Sequence, residues 1–65
     1  MYTITGQDWG DALPPKTATT KDEVVDIVFD IQREHPGAIL TIEGEGYYAQ
    51  IDLADGFELF GEEYV

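Results

Sequence analysis

Fourteen carboxylates, one histidine and no serine, cysteine or asparagine set the chemistry open to this 65-residue chain. Nucleophilic catalysis needs an activated group beside a base, and only Thr, Tyr, Lys and the carboxylates are left to supply one. Two carboxylates can share acid and base roles where a dry pocket separates their pKa values, but so short a chain has little room for one. His35 precedes Pro36 and Gly37, where a helix would stop, and reads as a C-terminal cap favoured by the helix dipole. Gly44-Glu45-Gly46 lacks the third glycine and following helix of a dinucleotide fingerprint. Asp52-Leu53-Ala54-Asp55 lacks the spacing of a calcium loop. Without cysteine there is neither a disulfide nor a thiolate metal site. The expectation is a binding protein with no catalytic residues, no cofactor and no metal.

The pattern of the carboxylates is more informative. The formal net charge is -11, and Lys16, Lys21 and Arg33 are the only Lys and Arg. From Glu34 to Val65 there are eight carboxylates and no Lys or Arg. Such a chain repels nucleic acid and anionic membrane, so the partner it suits is a basic protein surface. Asp22, Asp26, Asp30 and Glu34 recur every fourth residue, and on a helix they form a row about 18 Å long at a rise of ~1.5 Å per residue. A DNA strand places a phosphate about every 3.4 Å, so about five or six fall in that span. With Glu23 the helix carries five carboxylates. The plainer reading of this row is a solvated helix face. A second group, Glu43, Glu45, Asp52, Asp55, Glu58, Glu62 and Glu63, is interleaved with Tyr48, Phe60 and Tyr64. There aromatics would supply anchor area and carboxylates would steer; the plainer reading is a solvent face with an acidic tail.

These residues need elements to hold them. Tyr2 to Thr5 alternates apolar and polar and suggests a first strand that Gly6 ends. Gln7 to Thr19, with Gly10 and Pro14-Pro15, reads as a long loop that Trp9 and Leu13 pin to the body; the alternative for Trp9, flanked by Asp8 and Asp11, is an interface hot spot. Thr20 to Pro36 is the clearest helix. Thr20 and Glu23 match a capping box, and Val24, Ile27, Val28 and Ile31 form one apolar stripe, widened by Val25 and Phe29. A three-strand meander follows: Ala38 to Glu43, then Tyr47 to Ala54 after a Gly44-Glu45-Gly46 turn, then Phe57 to Phe60 after an Asp55-Gly56 hairpin. Gly61 to Val65 is a tail or an extension of the last strand. The fold class expected is α+β, one helix packed on a largely antiparallel four-stranded sheet in the order β-α-β-β-β, forming one domain over residues 1–65. One helix covers one face of such a sheet. The other would show Thr41, Glu43, Tyr48, Gln50, Asp52, Glu58 and Phe60.

Size, net charge, an acid-lined helix and a compact sheet together resemble the small acidic inhibitors that phages deploy against bacterial defence systems, such as anti-CRISPR proteins and anti-restriction DNA mimics. The resemblance spans the whole chain and rests on no diagnostic motif. It implies occlusion of a nucleic-acid groove on a defence complex, with Asp22, Asp26, Asp30 and Glu34 standing in for phosphates and Glu43, Asp52 and Glu58 as second choices. Two other readings stay open: an immunity protein that neutralises a basic toxin nuclease, and a small phage structural or assembly protein. No segment reaches the roughly 20 apolar residues of a membrane span, and Met1 to Gly10 lacks the basic start and apolar run of a signal peptide. The expected location is the host cytoplasm.

Overall fold

The computed structural model describes residues 1–64; the last residue of the expected tail, Val65, lies outside the described residues. The elements are β1 (Tyr2–Asp8), β2 (Asp11–Ala12), β3 (Lys16–Ala18), α1 (Lys21–Glu34), β4 (Ile39–Gly44), β5 (Tyr47–Asp52), a 3-10 turn (Leu53–Asp55), β6 (Phe57–Leu59) and β7 (Glu62–Tyr64). The main sheet is antiparallel, with β1 paired to β4 and β4 to β5. The outer side of β1 is shared by β2 and β3. A separate hairpin, β6–β7, packs beside the helix on the same face. The architecture is α+β with one helix, as the residue pattern implies.

The helix forms where its signals lie. Thr20 caps it, its hydroxyl accepting from the Glu23 amide at 3.2 Å, and His35 ends it. Val24, Val28 and Ile31 are buried against Ile4, Leu40, Ile42 and Leu59, while Ile27 is only half-buried. Tyr47, Ala49 and Ile51 turn inward from β5, and Tyr48 and Gln50 turn out.

Three expectations change. The first strand does not stop at Gly6 but runs through it to Asp8. Gly6 sits opposite Leu40, where a Cβ would run into the leucine side chain and lie 2.8 Å from the Ile39 carbonyl oxygen. Its lack of a side chain lets two strands close over a large residue, which is a packing role within a strand. The segment from Gln7 to Thr19 is not one loop, since it supplies both short strands that cover the outer side of β1.

The third change concerns the C-terminal quarter. Asp55-Gly56 does not make a hairpin. Asp52 accepts from the Ala54 amide at 3.0 Å and starts a 3-10 turn, which Gly56 leaves with φ 80. The chain thereby turns off the sheet, and β6 pairs with β7 instead of β5. Glu58 and Phe60 are consequently not on the open sheet face. Aromatic contacts hold the hairpin down: Phe29 of α1 lies 5.8 Å from Phe57 and 5.4 Å from Tyr64 between ring centroids, and Phe60 lies 4.3 Å from Tyr47.

All three two-residue hairpin loops share one geometry. Trp9-Gly10, Glu45-Gly46 and Phe60-Gly61 each have positive φ at both positions: 53 and 84, 52 and 76, 54 and 82. This is the signature of the type I′ turn, whose twist suits a hairpin and whose usual first residue is Asn, Asp or Gly. Trp, Glu and Phe are all unfavourable there.

Candidate partner-binding surface

The helix row is exposed as a unit: Asp22, Glu23, Asp26, Asp30 and Glu34 all face solvent. They are not alone there. Arg33 pairs with Asp30, and Lys16 lines a shallow groove with Asp30, Ile31, Arg33 and Glu34. Lys21 lies 5.3 Å over the Phe60 ring at the other end. Glu23 is engaged by Thr20 in the cap. The helix and its flanks therefore gather five carboxylates with all three Lys and Arg, a net of only two negative charges. The other nine carboxylates sit on the sheet, its turns and the hairpin, and among the described residues no Lys or Arg forms an ion pair with any of them.

On the open sheet face the register aligns three rows: Thr3, Glu43 and Tyr48; Thr5, Thr41 and Gln50; Gln7, Ile39 and Asp52. Glu43 and Tyr48 are directly opposed and exposed, Tyr48 at 66%. Asp52 is half-buried, with its carboxylate committed to the 3-10 turn. The face mixes hydroxyls, amides, two carboxylates and two apolar side chains, which suits a polar contact with a few apolar anchors.

Of the other residues expected to bind, Glu58 is exposed on β6 directly opposite Glu63. Phe60 is half-buried: its ring packs edge-on to Tyr2 at 5.6 Å, and its amide donates to the Tyr47 hydroxyl at 3.1 Å. It holds the hairpin in place and still contributes, with Tyr64, to a shallow groove walled by Asp22, Asp26 and Glu62. The helix row and the hairpin thus meet at one place, though Lys21 lines it too. Tyr64 donates to Glu62 at 3.0 Å, and this hydrogen bond, helped by desolvation and the nearby negative charge, raises its pKa above the ordinary tyrosine value. Glu45 is held below the usual carboxylate range by the hydrogen bond and charge of the Met1 ammonium.

Trp9 departs most from expectation. It does not pin a loop to the core. It stands at the tip of the β1–β2 hairpin, 97% exposed. The tip itself is braced: Leu13 donates its amide to Gly6 at 2.9 Å and packs against the core, and Asp8 Oδ2 lies 2.8 Å from His35 Nδ1 at the helix end. The clue in the sequence was the Trp-Gly pair, hidden because the residue directly before Gly10 is neither Asn nor Asp.

Among the described residues no group of three or more His, Asp or Glu side chains is placed to hold a metal ion, and no helix is long and apolar enough to cross a membrane. No protein-family model matches the chain, and comparison with curated proteins and with solved structures found no match.

Proposed function

We propose that the protein is an inhibitory binding module that occludes a basic, nucleic-acid-binding surface of a host defence complex by charge mimicry, in the manner of the anti-CRISPR-type proteins it resembles, acting in the host cytoplasm. The observation that carries this reading is the sidedness of the charge. All the Lys and Arg lie along the helix flanks, and of the nine carboxylates elsewhere only Glu62 shares a groove with one of them, Lys21. Interspersed charge would have served solubility equally well. A one-signed field speeds encounter with a basic surface and excludes acidic ones. The helix row alone supplies phosphate-like spacing, but its three cations reduce its field, so the main contact shifts toward the sheet, its turns and the hairpin.

The experiment is capture from bacterial lysate with the tagged protein at low and moderate salt, followed by assay of DNA or RNA binding by the captured protein with and without the chain. Loss of nucleic-acid binding in the complex supports occlusion, and the identity of the captured protein separates a defence complex from a toxin nuclease. Two variant sets locate the contact. Glu43→Gln with Asp55→Asn and Glu58→Gln should weaken inhibition more than Asp26→Asn with Asp30→Asn. If inhibition survives both sets, charge mimicry is not the mechanism.

A further inference from the structure

The three type I′ turns form an internal comparison. Each places a side chain in a conformation that disfavours it, and in two of them contacts offset the strain. Glu45 pairs with the Met1 ammonium. Phe60 packs on Tyr47 and Tyr2 and lies under Lys21. Trp9 has no such contact: the largest apolar side chain in the chain, and its only tryptophan, is 97% exposed with φ 53. Asp8 and Asp11, the residues on either side of the turn, are directly opposed across the hairpin, where like charges repel. Folding explains neither the tryptophan nor Asp11, whereas Asp8 is engaged by His35. The bracing of the same tip by Leu13 and by the Asp8–His35 contact keeps the indole presented on a rigid support, which lowers the entropy lost on docking.

We propose that Trp9 is the docking anchor of this protein: its indole enters an apolar pocket on the target whose rim carries Lys or Arg side chains facing the exposed Asp11. The inference rests on the occlusion reading and adds the chemistry of the partner's pocket. Charge selects this occupant over the others. A second copy would bring together two chains of net charge -11, and anionic lipid would meet Asp8 and Asp11. A desolvated indole ringed by charge-assisted contacts has the character of an interface hot spot.

Because Trp9 is the sole tryptophan, a chain labelled with 5-fluorotryptophan has one fluorine resonance from this site. The probe is bacterial lysate freed of nucleic acid, titrated into the labelled chain, with lysate capture by wild-type and Trp9→Asn protein run in parallel. The expected result is a resonance that shifts and broadens with lysate and recovers its free position at high salt. Capture of the same target should fall by roughly 30-fold or more in Trp9→Asn, with the circular dichroism spectrum unchanged. Trp9→Phe should retain part of the binding. Salt-sensitive capture that is equal for wild type and Trp9→Asn, with an unmoved resonance, overturns the anchor and leaves occlusion standing. No capture by wild type overturns both. A resonance that moves with the concentration of the chain alone, or on adding anionic vesicles, also overturns the anchor, because the indole then has another occupant.

Discussion

The β1–β2 and β6–β7 turns allow one substitution to be made twice at the same turn position with opposite expected outcomes. Replacing Trp9 by Asn puts a residue that tolerates positive φ where a tryptophan now stands at φ 53. The left-handed region costs an ordinary L-residue about 1–2 kcal/mol, and Asn recovers part of that through local hydrogen bonding. At 97% exposure the indole contributes almost no burial to lose, so the variant should be more stable by about 0.5–1 kcal/mol. Unfolding entropy near 2.1 cal/mol/K per residue gives about 0.14 kcal/mol/K for a chain of this length, so Tm should rise by about 4–7 °C. Phe60 occupies the same position of the same turn at φ 54. There the substitution also relieves strain, but it removes the ring packed on Tyr47 and Tyr2. Each such aromatic pair contributes about 0.5–1.5 kcal/mol beyond its buried area, so Phe60→Asn should lose about 2 kcal/mol net. Thermal and urea unfolding followed by circular dichroism measure both. A fall in Tm for Trp9→Asn refutes the argument that Trp9 makes no contribution to the folded state, and a rise for Phe60→Asn refutes the packing role of the Phe60 ring.

Like charges opposed across the second hairpin make another accessible test: Glu63→Lys, facing Glu58, should stabilise by about 0.2–1 kcal/mol at low salt, and the gain should shrink in urea melts at high salt. Gly6→Ala should destabilise by about 1–3 kcal/mol, because its methyl meets the Leu40 side chain and the Ile39 carbonyl; a neutral result in the same melts would mean that β1 and β4 separate readily. Tyr64 should titrate above the ordinary tyrosine value because its hydroxyl donates to Glu62. A pKa raised in the folded state means that the stabilisation is present at neutral pH and is lost as pH rises through the raised value. Glu62→Gln should bring the Tyr64 ring titration, followed by NMR, down toward the ordinary value.

What was legible in the sequence was whatever local chemistry decides. Thr20 and Glu23 mark the helix start, the four-residue recurrence of Asp22, Asp26, Asp30 and Glu34 marks its exposed side, and the alternation from Tyr47 to Asp52 assigns β5 its two faces. The hairpins were harder, because the rule for a two-residue turn looks for Asn or Asp before Gly. Asp55-Gly56 fits that rule and is not a hairpin, since the Asp52 side chain captures the Ala54 amide first and starts a 3-10 turn. Trp9-Gly10 and Phe60-Gly61 break the rule and are hairpins, held by pairing on both sides of the loop. That inversion moved Glu58 and Phe60 off the sheet and Trp9 off the core. The positions of Lys16 and Lys21 along the helix flanks were equally hidden, because they depend on β3 pairing with β1 and on the β6–β7 hairpin folding back beside the helix.

The unfavourable features of this fold are single substitutions away from repair. Asp8 faces Asp11, Glu58 faces Glu63, and a tryptophan occupies a turn that prefers asparagine. A chain selected only to fold and stay dissolved would reach solubility at a net charge of magnitude about 2–8 and would have no use for opposed carboxylates or an exposed indole. Departures from local preference that bring no gain within the folded chain are the ones to assign to contacts outside it. By that criterion Phe60, Glu45 and Asp52 belong to the fold, since each is engaged by a partner within the chain. Trp9, Asp11, Glu43, Glu58 and Glu63 have no such partner among the described residues. The assembly reading, in which acidity serves solubility alone, accounts for the sign of the charge but not for this placement, whereas docking on a basic surface with an apolar pocket accounts for both.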